Sequence, residues 1–232
     1  MKGMLSLDPV HPHSRSLRGG DGATISVDSH SRSEQLLMQI KKLATLALIL
    51  LAAPGLAAQA QQGPSAADLS FISGMIPHHA QAVKMAAWVP THGGSPALQR
   101  FAERILVAQT DEIAMMRNWL GKQGAPVPAA DATHMVMEHD GMSHAMLMPG
   151  MLTDQELAQL DAARGNAFDR LFLKFMIRHH QGAITMVNEL FASHGAAQDE
   201  FVFRFASDVF ADQTTEIEFL QLLLDDLPES GK

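Results

Sequence analysis

The chain contains no cysteine and no tyrosine. The first absence excludes disulfides, thiolate zinc sites and thiol nucleophiles. Basic residues are also scarce: 17 Lys and Arg stand against 25 Asp and Glu, a formal net charge of −8. With no Lys/Arg run to offset that balance, non-specific binding to nucleic acid is excluded. What is abundant is 15 Met and 12 His in 232 residues, 47% of them hydrophobic. This composition supports one ordinary domain with a real core, plus extensions. Thioethers and imidazoles are metal ligands as well as packing groups.

Residues 38–60 read MQIKKLATLALILLAAPGLAAQA. Lys41 and Lys42 make a positive start, Leu43 to Leu51 an apolar centre, and Ala58 and Ala60 occupy the two positions a signal peptidase reads. The apolar run is shorter than the roughly 20 residues of a comfortable membrane span. A secretory signal cleaved after Ala60 is therefore expected, with an uncleaved anchor as the alternative. Because signals sit at true N-termini, translation is expected to begin at Met38. Residues 1–37, which lack periodicity, read as a mis-called or disordered leader. The protein is then periplasmic or secreted, without a membrane span after cleavage.

The remainder repeats itself. FISGMIPHHAQAVKM from Phe71 matches FLKFMIRHHQGAITM from Phe172, sharing Phe, Met, Ile, both His, Ala and a final Met. FAERILVAQTDEIAMMRNWL from Phe101 matches FASDVFADQTTEIEFLQLLL from Phe205 in the same way. Each copy is a helix, a turn and a helix, so two copies predict an all-α four-helix bundle. The domain organisation expected is a first hairpin over 61–124, a linker over 125–152 and a second hairpin over 153–232, packed as one domain. His92-Gly93-Gly94 stops the first helix, and Ser95-Pro96 opens the second with an N-cap and a first-turn proline. Thr153 with Glu156 forms a capping box before a third helical segment that can break near Gly165. His194-Gly195 ends that helix, and Leu227-Pro228 closes the fourth. Pro77 predicts either a kink or a late helix start. No stretch shows sustained strand alternation.

At about 100° per residue, Phe172, Met176, His179, Ala183, Met186 and Leu190 fall within about 40° of one line, as do Phe71, Met75, His78, Ala82, Met85 and Val89. His78 and His179 thus lie mid-stripe, with His79 and His180 about 80° round at the flank. Facing helices carry Phe101, Ile105, Glu112, Met115 and Trp119, and Phe205, Val209, Glu216, Phe219 and Leu223. A carboxylate or an imidazole in an apolar stripe is costly unless paired, so His and Glu are expected to face each other. That pairing fits a purely structural role. It equally fits a metal site of His78, His179 and nearby Met, with Glu112 and Glu216 as outer acceptors.

Between the copies lies HMVMEHDGMSHAMLMPGM, holding His134, Met135, Met137, His139, Met142, His144, Met146, Met148 and Met151. Gly141, Pro149 and Gly150 discourage a continuous helix. Thioethers favour Cu(I), and Ag(I) as its surrogate, over harder ions. Exposed methionine has little packing use in a linker, so ligation is the stronger reading and a flexible linker or flap the weaker. Imidazole binds metal only when neutral, and its ordinary pKa is about 6.5. Lowering pH from about 7.5 to about 5 is therefore expected to weaken sites on His78, His79, His179 and His180, and to spare the methionine loop.

The doubled Phe-x-x-x-Met-Ile-x-His-His motif resembles the "domain of unknown function 305" family, whose CopM-like members are periplasmic copper-binding proteins. The Gln-Thr-x-Glu-Ile blocks at Gln109 and Gln213 carry the same resemblance, as does Met148-Pro-Gly-Met-Leu-Thr; together they span most of 68–224. The resemblance implies a ferritin-like bundle and a role in copper binding or tolerance. It makes Met75, His78, His79, Met85, Met176, His179, His180 and Met186 candidate ligands. Met115 and Met116 join them, with Gln109, Glu112, Gln213 and Glu216 behind. Two departures stand out. Phe219 and Leu220 replace Met115 and Met116 in the second copy, and Ala80-Gln81 stands where the second copy has the family's Gln181-Gly182. Two sites of unequal affinity are implied.

The leading expectation is a non-catalytic periplasmic Cu(I) carrier or scavenger, serving a copper exporter or chaperone. A ferritin-like di-metal oxidase built on Glu112, Glu216 and the histidines competes with it, although such sites carry Glu-x-x-His pairs that this chain lacks. A structural bundle whose loop binds a partner through methionine is the third reading.

Overall fold

Helix caps set the frame of the molecule. Ser65 and Asp68 close a reciprocal capping box, the Ser65 N–H donating to the Asp68 carboxylate at 2.8 Å and the Asp68 N–H to the Ser65 hydroxyl at 3.1 Å. This starts α1, Ala66–His92. Ser95 caps α2, Pro96–Lys122, with Pro96 in the first turn. Thr153 and Glu156 form the expected box before α3, Asp154–Ala162. The chain breaks there and resumes at Gly165 as α4, Gly165–Ala192, and Asp199 caps α5, Glu200–Asp225. Pro77 lies inside α1 rather than at its start, so the late-start alternative falls.

The computed structural model describes residues 63–139 and 142–228, with Glu34 and residues 37–39; for residues 136–139 and 142–144 only the backbone is described. The expectations of a leader over 1–37 and a signal over 38–60 thus lie almost wholly outside the described residues. The fold is that of the unit Ala60–Lys232. It is all-α in its main body: α1 pairs with α2 and α4 with α5, as two repeated hairpins, which meet mainly through α1 and α4. No described helix is long and apolar enough to cross a membrane.

One expectation about secondary structure fails. The linker contains a two-stranded antiparallel hairpin, β1 (Met135–His139) and β2 (Met142–Met146), pairing Met135 with Met146, Met137 with His144 and His139 with Met142. The alternation in Met-Val-Met-Glu-His is a strand signal, but it is written in methionine and histidine rather than β-branched residues.

The apolar interior falls into two halves. One holds Phe71, Met75, Met116, Trp119, Met186 and Phe205; the other holds Met85, Phe101, Ile105, Phe172, Met176 and Leu220. Each fully buried side chain of this size stabilises by about 1.5–3 kcal/mol. Every long helix contributes to both halves and crosses between them at mid-length. At those crossings stand the buried polar residues His78, His79, Gln81, Gln109, His179, His180 and Gln213. A polar layer therefore cuts the core, and this layer is the candidate site.

Candidate metal centre

α1 and α4 run antiparallel past one another, with Gly74 beside Met186 and His78 beside His179. Where they cross, the rings of His78 and His179 lie against one another at a tilt, centroids 3.8 Å apart and planes at 40°. The next residue in each helix turns toward the partner helix of its own hairpin. His79 Nε2 donates to Glu112 Oε2 on α2 at 2.7 Å, and His180 Nε2 donates to Glu216 Oε2 on α5 at 2.8 Å. His79 and His180 are completely buried, while Glu112 and Glu216 keep about a fifth of their side-chain surface in solvent.

His and Glu do face each other, but through the other member of each pair. The mid-stripe residues His78 and His179 take no carboxylate; the flank residues His79 and His180 do. A helix packed against two neighbours has two inner faces. Adjacent histidines use both, one toward the other hairpin and one toward their own.

The layer is rich in unsatisfied polar atoms. His79 Nδ1, His180 Nδ1, both nitrogens of His179, Gln109 Oε1 and Gln213 Oε1 are buried without a hydrogen-bond partner. Each orphan of this kind costs about 1–3 kcal/mol. Burial also keeps the central rings neutral. Desolvation, aided by nearby His79, lowers the His78 pKa to about 3, and desolvation aided by His78 lowers that of His179 well below its ordinary value. Neutral rings with free lone pairs are what a metal requires. On the outer side, burial together with Glu112 and Glu216 raises the pKa of Asp212, so both outer carboxylates lie within electrostatic reach of that residue.

The thioethers surround this layer. Met75 and Met186 belong to one apolar half and Met85 and Met176 to the other, and all are buried. Met116 is fully buried, but Met115 is 46% exposed and is not brought to the layer, because it lies one residue round on the outer face of α2. Met148 does not belong to a free loop. Its Sδ fills the space left by Gly74, where a Cβ would lie 2.9 Å from it and 3.4 Å from Met186 Cε. Met151 is buried as well, its sulfur accepting from the Met148 N–H at 3.2 Å. His134 lies outside the layer, 3.2 Å from Asp154. Met135 and Met146 stand opposite each other at the base of the hairpin, with Met146 exposed. Met137, His139, Met142 and His144 are among the residues described by backbone only.

Among the described residues no three His, Asp or Glu are grouped to hold one ion. The carboxylates are committed to separate histidines, so a hard cage of the di-iron type does not form. A donor set of imidazole nitrogen and thioether sulfur remains, which suits a soft ion of low coordination number.

Sequence reasoning missed the backbone carbonyl of Pro149, which accepts from His78 Nε2 at 3.1 Å. It also missed Asp68 and Asp169, both buried. Their signal was present in the repeat, since they stand at matching places three residues before Phe71 and Phe172.

The profile of the family "Domain of unknown function (DUF305)" matches residues 68–224, and the chain belongs to that family. Solved structures resemble it over most of their length. A protein described as secreted, from Streptomyces coelicolor, is 29% identical with a TM-score of 0.58, covering 69% of this chain and 93% of its own. A fragment from Deinococcus radiodurans is 27% identical with a TM-score of 0.58, covering 71% and 99%. CopM in its Cu(I)-bound form is 28% identical with a TM-score of 0.53, covering 68% and 96%. CopM has also been solved with Cu(II) and with Ag. An uncharacterised protein of Acanthamoeba polyphaga mimivirus is 32% identical over 56 residues, 24% of this chain and 37% of that protein's length.

Proposed function

We propose that this chain is an extracytoplasmic copper(I)-binding protein that sequesters or carries the ion through Met and His side chains, in the service of copper tolerance. The observation that carries this reading is the polar layer: four buried imidazoles, three of them with unpartnered ring nitrogens, flanked by buried thioethers. His78, His79, His179 and His180 are the nitrogen ligands, with Met75, Met85, Met176 and Met186 beside them. Glu112 and Glu216 act from behind, fixing the ring orientation of His79 and His180. The second copy is poorer in sulfur, with Leu220 where the first has Met116. The two hairpins are then halves of one ferritin-like four-helix bundle, and the hairpin β1–β2 adds an outer set of soft ligands. Likeness to CopM, solved with Cu(I), Cu(II) and Ag, supports copper or silver as the cargo. Likeness to a protein described as secreted supports export, and intact mass of envelope protein beginning at Gln61 tests it. The delivery partner is a copper exporter or chaperone of the same compartment. The di-metal oxidase reading loses ground, because Glu112 and Glu216 each serve a separate histidine.

Titration of residues 61–232 with Cu(I) against a competing chelator tests the reading. Binding should be tight in the wild type and reduced in stoichiometry when the four histidines are replaced by alanine. Unchanged stoichiometry in that variant would make the layer purely structural.

A further inference from the structure

The segment Met148–Leu152 crosses the polar layer as a strap. Met148 packs on one apolar half and Leu152 is buried in the other. Three grips hold it between them. His78 Nε2 donates to the Pro149 carbonyl at 3.1 Å. Gly182 of α4 lets the strap touch helix backbone: a Cβ there would lie 1.9 Å from the Pro149 oxygen. Gln81 of α1, itself fully buried, donates to the Leu152 carbonyl at 3.0 Å and accepts from its N–H at 2.6 Å. Gln81 and Gly182 are equivalent positions in the two copies. A single strap cannot obey a two-fold relation, so one copy supplies a clamp and the other supplies room. This accounts for Ala80-Gln81 standing opposite Gln181-Gly182.

We infer that the Pro149 carbonyl is a positioning group that selects the ligating nitrogen of His78 and makes His78 and His179, equivalent in the repeat, unequal as metal ligands. A carbonyl oxygen only accepts, so the contact requires the proton on Nε2 and leaves the lone pair on Nδ1. Histidine ligands to metals are held in this way, by an acceptor for the nitrogen that does not bind. Glu112 does this for His79, Glu216 for His180, and Pro149 for His78. Neither ring nitrogen of His179 makes a well-formed hydrogen bond, its nearest acceptor being the backbone carbonyl of His78, so its tautomer and its ligating atom are held less firmly than those of His78. The strap thus prepares one central ring and leaves the other to be organised by the ion.

The affinity part rests on the copper reading; the tautomer part is measured without metal. In metal-free full-length protein, ring ¹⁵N shifts should report His78 as the Nε2–H tautomer and His179 as an average of both. Gly182→Ala displaces the strap from α4, and Gln81→Leu releases its other end, and neither touches a ring. In each variant the His78 shifts should move toward the average while those of His79 and His180 stay in place. Ag(I) affinity at one site should fall roughly 10- to 100-fold with total stoichiometry kept. An averaged His78 in the wild type overturns the inference while leaving the copper reading intact. A wild type that binds no Ag(I) overturns the copper reading and the inequality of ligands with it. Affinity within about twofold of wild type in both variants, with His78 shifted, confines the strap to structure and also overturns it.

Discussion

Asp68 and Asp169 stand at matching places in the two copies, and each carboxylate holds the turn of the opposite hairpin. Asp68 accepts from the Ala197 N–H at 2.7 Å, between α4 and α5. Asp169 accepts from the N–H groups of Gly94 and Ser95 at 2.7 and 3.3 Å, between α1 and α2. Gly93 makes the second contact possible, since a Cβ there would lie 2.4 Å from Asp169 Oδ1. Replacing either aspartate by alanine leaves backbone donors unpaired, which costs about 1–3 kcal/mol. The two braces sit at opposite ends of the α1–α4 contact, so the double variant should be additive within about 0.5 kcal/mol. Urea unfolding measures both quantities, and losses under about 0.5 kcal/mol would show that the helices hold the hairpins together unaided.

Acid should destabilise the metal-free protein. The folded-state pKa of His78 is lowered from 6.5 to about 3, chiefly by burial, and that of His179 is lowered well below 6.5 for the same reason. Below pH 6.5 the unfolded chain takes up protons that the folded chain refuses, so stability is complete above that pH and falls as pH drops toward 3. For His78 the loss reaches at most about 5 kcal/mol. Denaturant midpoints between pH 7.5 and 4 should decline with acid. The variant His78→Gln with His179→Gln should decline less steeply. An equal decline would place the acid sensitivity elsewhere.

The same burial corrects the pH dependence of binding expected from an ordinary imidazole. With a pKa lowered to about 3, His78 is still neutral at pH 5, and burial shifts His179 in the same direction, so protons compete less with metal there than at an ordinary imidazole. Cu(I) binding that survives from pH 7.5 to 5 should therefore vanish when these two rings are replaced, and should not be ascribed to methionine alone. Chelator competition at both pH values checks this. A phase that fades near pH 6.5 and depends on His78 would contradict the buried environment.

Glu112→Gln and Glu216→Gln keep the shape of the acceptor and remove its charge. Each should weaken metal binding roughly tenfold, because a charged acceptor makes the opposite ring nitrogen a better donor to metal. The helical content of each variant should match the wild type by circular dichroism. Affinities unchanged by either substitution would reduce the His–Glu pairs to packing.

The repeat, the caps at Ser95 and Thr153 and the burial of His78 and His179 were legible because side-chain periodicity and capping chemistry are written in residue types. The partner of each histidine was not. Rotation about one helix axis ranks residues against a single inner face, whereas α1 and α4 each have two. The Pro149 carbonyl was invisible for another reason: a backbone acceptor carries no side-chain signature, and only the mismatch of Gln81 with Gly182 hinted that something asymmetric crosses the layer. Met115 misled because α2 packs chiefly against α1 and so has one inner face, on which Met116 is fully buried while Met115 faces outward.

The methionines between the copies should divide into two groups, where composition suggested one. Met135, Met137, Met142 and Met146 lie in the hairpin β1–β2, whereas Met148 and Met151 belong to the strap. Replacing the hairpin four by leucine removes sulfur while keeping bulk, and neither Met135 nor Met146 belongs to the two apolar halves. Cu(I) stoichiometry should fall, and the melting temperature of the metal-free protein should stay within a degree or two. Met148→Leu with Met151→Leu acts on packed side chains. A branched side chain at position 148 must fit the narrow space over Gly74, and position 151 loses the sulfur that accepts from the N–H of position 148. Such shape changes cost up to about 1.5 kcal/mol even at equal volume. For a bundle of this length that corresponds to a fall of roughly 3–6 °C in melting temperature. Calorimetry beside Cu(I) titration separates the groups. Equal melting for both sets would mean that the strap is not packed as described. Unchanged copper stoichiometry in the hairpin set would leave β1–β2 without a part in holding the ion.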